Sequence, residues 1–187
     1  MDKDLRSYLK IYKGFLDLKQ CKKTVKELKA AVYHKHAYYD VKKDDHKTFN
    51  TDLSVTYQNV STTPYLMKRT WDSLEQYILK DFNFDWHAGW NGYMQIRFNK
   101  YEVGTEMRNH CDHIHSLFDG MRKGVPILTI LGILNEDFEG GELIMFDDEK
   151  LDVKTGDLLV FPSNFLFPHR VDPVTTGVRY SFVSWSW

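Results

Sequence analysis

Apolar and polar residues follow one rhythm in the first half of the chain and another in the second. Leu18, Cys21, Val25 and Leu28 recur at spacings of three, four and three, which places them on one face of a helix. Asp17 stands where a helix N-cap belongs, and Gln20 stands three residues on, where a capping-box partner belongs. A second helix is predicted from Thr63-Pro64, because proline fits the first turn, where its missing N–H is not needed. Met67, Trp71, Leu74 and Ile78 would form its buried side. Between the helices, residues 40–62 are polar and weakly alternating, and predict loops with one hairpin.

After Trp90 the period falls to two. Tyr93, Gln95, Arg97, Asn99 and Tyr101 alternate with Met94, Ile96, Phe98 and Lys100, the pattern of a strand with two unlike faces. Further strands are predicted at residues 126–135, 142–146, 157–161 and 178–187. Glu139-Gly-Gly, Lys154-Thr-Gly-Asp and Thr175-Thr-Gly supply turn chemistry between them. Short strands with no intervening helices indicate an antiparallel sandwich or barrel, and the preceding helices would pack on one outer face of it. The expected fold class is α+β, in a single domain over residues 1–187. Its helical support should end at about residue 90, with the barrel from about residue 91.

Composition narrows the function. The 187 residues are 42% hydrophobic, enough for a sizeable core, and 25 basic against 26 acidic side chains argue against a general nucleic-acid binder. Residues 1–60 carry 13 basic and 8 acidic side chains, an asymmetry that reads as a solvated surface. The uncharged run 124–135 has 12 residues, short of the roughly 20 that cross a bilayer. The N-terminus is charged throughout, with no apolar leader segment, and two cysteines make no disulfide framework. Together these predict a cytoplasmic protein with no membrane partner. Oligomeric state has no signature in the sequence.

The candidate chemistry lies in His110-Cys-Asp112 and in His169. On an extended strand His110 and Asp112 project to the same side, with Cys111 opposite. Two imidazoles and one carboxylate make the facial triad of non-haem Fe(II) oxygenases, which leaves positions open for a chelating cosubstrate and dioxygen. A rival zinc cluster of His110, Asp112 and His115 can be drawn, but the following loop offers it no thiolate. Arg179 sits in an apolar, aromatic strand, VRYSFVSWSW, where a guanidinium needs an anionic partner. A dicarboxylate such as 2-oxoglutarate would supply one; the competing reading is a surface Asp or Glu.

Tyr101-Glu-Val-Gly104, His110-Cys-Asp112, Phe138-Glu-Gly-Gly-Glu-Leu143, Lys154-Thr-Gly-Asp157, Pro168-His169 and Arg179 follow in order. This set resembles the catalytic domain of prolyl 4-hydroxylases within the Fe(II)/2-oxoglutarate dioxygenase superfamily. The resemblance covers residues 93–187. It implies a double-stranded β-helix (jelly-roll) barrel with iron between its sheets, held by His110, Asp112 and His169. It implies that Arg179 binds the distal carboxylate of 2-oxoglutarate, and that Tyr101, Thr129 and Leu143 line the cosubstrate pocket. Trp185 matches a tryptophan near the substrate. The reaction implied consumes 2-oxoglutarate and O2, releases succinate and CO2, and hydroxylates a prolyl residue of a peptide or protein, with ascorbate as a candidate reductant. Two departures bear on the substrate. Ile133 replaces a cosubstrate tyrosine, and Pro126 replaces a peptide-contacting arginine, for which Arg122 or Lys123 would have to substitute. The alternatives are therefore an oxygenase acting on a free amino acid or other small molecule, and a catalytically silent binding barrel. Residues 40–62 are expected to form a flap, with Tyr38, Tyr39 and Tyr57 stacking on a proline ring.

Overall fold

Strand after strand in the C-terminal half is buried on both faces, so this chain needs two cores. In a computed structural model of the protein, residues 4–40, 45–83, 92–112 and 126–187 are described. The first part contains β1 (Lys10–Tyr12), α1 (Leu18–Leu28), β2 (His34–Lys35) and a hairpin of β3 (Tyr38–Asp40) and β4 (Asp45–Lys47). It continues with β5 (Ser54–Thr56) and α2 (Thr63–Glu75), and α2 runs on as a π-helical stretch over Gln76–Phe82. Then come β6 (Arg97–Tyr101), β7 (Met107–His110), β8 (Leu128–Ile133), β9 (Phe138–Gly140), β10 (Leu143–Met145) and β11 (Glu149–Lys150). The last strands are β12 (Leu158–Pro162), β13 (His169–Val171), β14 (Val174–Gly177) and β15 (Arg179–Ser186).

Seven strands pair in the order β1-β12-β8-β15-β6-β5-β2, and four form a second sheet, β11-β10-β13-β7. Side chains alternate along each strand, so the large sheet presents a different set to each side. Phe98, Ile130, Leu158, Val160 and Phe182 share one core with Cys21, Leu28, Leu66, Leu74 and Tyr77 of the helical part. Leu131, Phe161 and Val183, from the opposite face, meet Met107, Leu143, Met145 and Val171 of the small sheet in a second core. Burying each such side chain contributes roughly 1.5–3 kcal/mol. The molecule is mostly β-sheet with few helices, a sandwich whose two sheets face each other across the second core.

The helices differ in detail from their hydrophobic pattern. Leu18 is 60% exposed and Trp71 43% exposed, while Thr24, Thr70 and Ser73 are buried in their place. Their hydroxyls are small, and two are satisfied locally. Thr24 Oγ1 donates to the Gln20 carbonyl or meets Thr62 Oγ1, and Ser73 Oγ donates to the Thr70 carbonyl. Asp17 does cap α1, accepting from the Gln20 N–H at 2.9 Å, but the N–H of Asp17 donates to the Tyr65 hydroxyl. A long-range contact thus replaces the reciprocal half of the capping box.

Two strands lie where loops or helices were expected. β1 forms an edge of the large sheet, held by the buried Asp157 carboxylate, which accepts from the N–H of Gly14 and of Lys154. Residues 54–56 pair with β6, so the far end of the expected flap is part of the large sheet. Before it, Asp52 is fully buried and pairs with Arg108 at 3.4 Å. Tyr38 packs edge-on against His36 and Phe49, and Tyr57 is exposed.

Gly132, on β8, leaves room for the Phe182 ring of the neighbouring strand β15 in the core shared with the helices. A Cβ there would lie 2.1 Å and 2.3 Å from ring carbons of Phe182 on β15. Gly132→Ala should therefore overpack this core and destabilise the fold by about 1–3 kcal/mol, read as a lower Tm by calorimetry.

Candidate active site

β7 and β13 pair so that His169 lies directly across from His110, and partners across a ladder share one face. Both imidazoles therefore enter the space between the sheets, with ring centroids 4.3 Å apart. Each ring is fixed by its own backbone. Nδ1 of His110 lies 2.8 Å from the Arg108 carbonyl, and Nδ1 of His169 lies 3.1 Å from the Phe167 carbonyl. Since a carbonyl only accepts, Nδ1 carries the proton in both rings and Nε2 is left with a free lone pair.

Asp112 reaches the same place differently from the strand geometry expected. β7 ends at His110, and Asp112 sits in a bend just beyond it. The Thr129 hydroxyl, on β8, donates to Asp112 Oδ2 at 2.7 Å and draws the carboxylate inward. Thr129 Oγ1 also lies 2.8 Å from Ser163 Oγ. With its single proton given to Asp112, Thr129 accepts from Ser163, so a buried hydroxyl relay ends on the carboxylate. His110 Nε2 is 3.3 Å from Asp112 Oδ1, and His169 Nε2 is 3.8 Å from Asp112 Oδ2. The three ligand atoms lie within 4.8 Å of one another.

Electrostatics suits a cation. Burial works against the charged Asp112 carboxylate, but His169, His110 and the Thr129 hydroxyl overcome it and hold the carboxyl well below the usual range. Burial pushes His169 down to about 4, against the pull of Asp112, so its ring is neutral at physiological pH. Two imidazole nitrogens and one carboxylate, with space beside them, fit an Fe(II) centre of the facial-triad type.

The space beside them is a cavity lined by Tyr101, Leu131, Leu143, Phe161, Val183 and Arg179 as well as by the triad. Arg179 is 2% exposed. Its guanidinium lies 4.9 Å from the Tyr101 ring centroid, and Nη1 donates to Ser181 Oγ at 3.3 Å. Nη2 is buried and has no partner among the described residues, where no carboxylate pairs with this side chain. The surface Asp or Glu alternative therefore finds no support there. Burial pulls Arg179 down and Tyr101 opposes it. Thr129 lines the cavity too, but its hydroxyl is engaged by Asp112 and Ser163. Trp185 lies across from Thr129, on β15. Arg122, Lys123, His113 and His115 lie outside the described residues.

Residues 96–187 match the 2OG-Fe(II) oxygenase superfamily. Members of that superfamily are oxygenases that use Fe(II), 2-oxoglutarate and O2. A PKHD-type hydroxylase of Methylobacterium nodulans is 38% identical over 95 residues, covering 48% of this chain and 41% of that protein. One from Aliarcobacter butzleri is 40% identical over 97 residues, with 48% and 41% covered. The chain thus spans about two fifths of the length of these relatives. Among solved structures, a Trichoplax adhaerens prolyl hydroxylase, in complex with a hypoxia inducible factor oxygen degradation domain peptide fragment, superposes with a TM-score of 0.74. Identity is 17%, and 97% of this chain and 84% of that one are covered. A Pseudomonas putida prolyl-4-hydroxylase gives 0.68 at 19% identity, with 96% and 91% covered. At these identities the likeness is one of fold, mostly β-sheet with few helices.

Ser163 had no signal in the sequence, because a buried serine after a strand is common. Arg97 did have one: its strand alternation places it on the same face as Tyr101.

Asp112→Ala should abolish tight Fe(II) binding, and Thr129→Val should weaken it roughly ten- to a hundredfold, as loss of a ligand's own support does; metal titration by calorimetry checks both. A second expectation concerns pH. Between the ordinary histidine value of 6.5 and about 4, the unfolded chain takes up a proton that the folded His169 refuses. Stability of the metal-free protein should therefore fall as pH drops through that window, by on the order of 3 kcal/mol from this residue. His169→Gln should flatten the Tm-against-pH curve.

Proposed function

We propose that this chain is an Fe(II)- and 2-oxoglutarate-dependent dioxygenase that hydroxylates a C–H bond, and that its target is a prolyl residue of a peptide or protein. One observation carries the reading. A single cavity holds three convergent metal donors and, on another strand, a buried arginine with an open Nη2. Similarity to PKHD-type hydroxylases and to prolyl hydroxylase folds supports the choice of substrate. A silent binding barrel has no need of a complete donor set.

When bound, the iron supplies oxygen activation coupled to conversion of 2-oxoglutarate into succinate and CO2. The protein's part is to bind, orient and keep dry. His110 and His169 present Nε2, their tautomer held by the Arg108 and Phe167 carbonyls. Asp112 stays charged and is aimed by Thr129. Arg179 receives the distal carboxylate of 2-oxoglutarate, with Tyr101 against the guanidinium and Leu143 forming part of the wall. Apolar walls from Leu131, Phe161 and Val183 exclude water, which strengthens each charge–charge contact inside. Ascorbate would serve as the external reductant.

The alternative substrate, a free amino acid or other small molecule, is favoured by Pro126, where a peptide-contacting arginine is absent. A peptide and amino-acid panel with Fe(II) and 2-oxoglutarate decides between the two, since mass spectrometry shows which product gains one oxygen atom. Arg179→Ala should raise the KM for 2-oxoglutarate about ten- to a hundredfold, the cost of losing a bidentate charged contact. Arg179→Lys should be milder, because the charge persists and the fork does not. An unchanged KM in Arg179→Ala would remove this arginine from the cosubstrate site.

A further inference from the structure

The cavity has a second cation that the reading above leaves unused. Arg97, on β6, lines the same space as His110, Asp112 and Arg179 and is half-buried. Across the β6–β15 ladder Arg97 lies opposite Val183, whereas Arg179 lies opposite Tyr101. Four residues separate the two positions along each strand, or about 13 Å of sheet.

Arg97 is presented rather than neutralised. Its Nε donates to Asn99 Oδ1 at 3.1 Å, and its guanidinium carbon lies 4.9 Å from the Trp185 ring centroid. The neutral amide and the indole face hold the fork in place without cancelling its charge. Among the described residues no carboxylate pairs with it. Trp185 adds a donor. It is 8% exposed, and its Nε1–H is buried with no acceptor among the described residues. An indole N–H can only donate, so the missing group is an acceptor.

His36 completes the set from just beyond β2. After the pairs His34↔Val55 and Lys35↔Ser54, the His36 N–H donates to the Leu53 carbonyl, which continues the ladder and places His36 on the face of Leu53. Leu53 belongs to the core between the sheets. His36 is near enough to Arg97, His110 and Asp112 to feel their charges, and its Nδ1 is buried without a partner among the described residues.

We infer that Arg97, with Trp185 and His36, binds a carboxylate of the primary substrate, apart from the site that Arg179 provides for 2-oxoglutarate. This rests on the dioxygenase reading and narrows it to substrates with a carboxylate close to the oxidised carbon. That carboxylate belongs either to a free amino acid or to the C-terminal residue of a peptide. A fork already held by Asn99 and Trp185 loses little freedom on binding it.

The test pairs acids with their amides. The probes are the proteinogenic L-amino acids, each as free acid and as carboxamide, and N-acetyl-Ala-Pro in the same two forms. Binding is read by ligand-observed NMR on the Zn(II)- and 2-oxoglutarate-loaded protein, and turnover by succinate release from the Fe(II) enzyme. At least one acid should bind and stimulate at least tenfold better than its amide. Arg97→Gln should erase that preference while the KM for 2-oxoglutarate stays unchanged, and Arg97→Lys should restore part of it. Preference for a free amino acid or for the acetyl dipeptide identifies the source of the carboxylate. Equal binding of acids and amides, binding of none, or a parallel rise in the 2-oxoglutarate KM of Arg97→Gln would overturn the assignment. Acid-selective binding that depends on Arg97, with no succinate formed, would uphold the carboxylate site and remove the oxygenase reading instead.

Discussion

Asp112 and Arg179 are opposite charges buried in one cavity, and among the described residues they do not pair with each other. Left uncompensated, either would cost several kcal/mol, so the surrounding structure must hold each in its own way. Asp112 is answered by the Thr129 hydroxyl. Arg179 is answered by the Tyr101 ring, by Ser181 and by nothing at Nη2. Both are held from the large sheet, Asp112 through Thr129 on β8 and Arg179 on β15, and keeping water out takes the apolar walls between the two sheets. The double-layered architecture, with helices sealing the other face of the large sheet, is thus the setting that these charges require.

Much of that setting was legible in the chain, for identifiable reasons. Strand alternation separates Phe98 from Asn99 and Tyr101, and the structure sends them to opposite cores. The spacing of His110 and Asp112 is weak alone, and the triad stood out through the ordered motifs around it, from Tyr101 to Arg179. Arg179 stood out as a charge in an aromatic strand. The rest depended on contacts between distant residues. Asp112 is placed by Thr129, 17 positions away, and not by the strand that ends at His110. Helical periodicity assigns inside and outside by hydrophobicity alone, so it overlooks Thr24 and Ser73, whose hydroxyls are satisfied by their own helix. Short strands such as Lys10–Tyr12 have too few residues to show a period, and only the partner strand defines them.

Arg108 links the site to the segment before β5. Its carbonyl fixes the His110 ring, while its guanidinium lies 3.3 Å from the Phe49 ring centroid and pairs with buried Asp52. One residue therefore connects the orientation of a candidate ligand to the packing of residues 49–52. Movement of that segment would reach the first imidazole through a single backbone carbonyl.

The origin of the three donors has a mechanical meaning. His110 and His169 belong to the small sheet, whereas Asp112 is tied through Thr129 to the large one. Strands of the small sheet are two to four residues long, so its ladder alone offers few hydrogen bonds with which to stay closed. An ion drawn to all three donors would clasp one layer to the other, at a point where the chain closes a loop with 58 residues between the two histidines. Were a metal held by these three donors, its supply would set how firmly the two layers are fastened at that point.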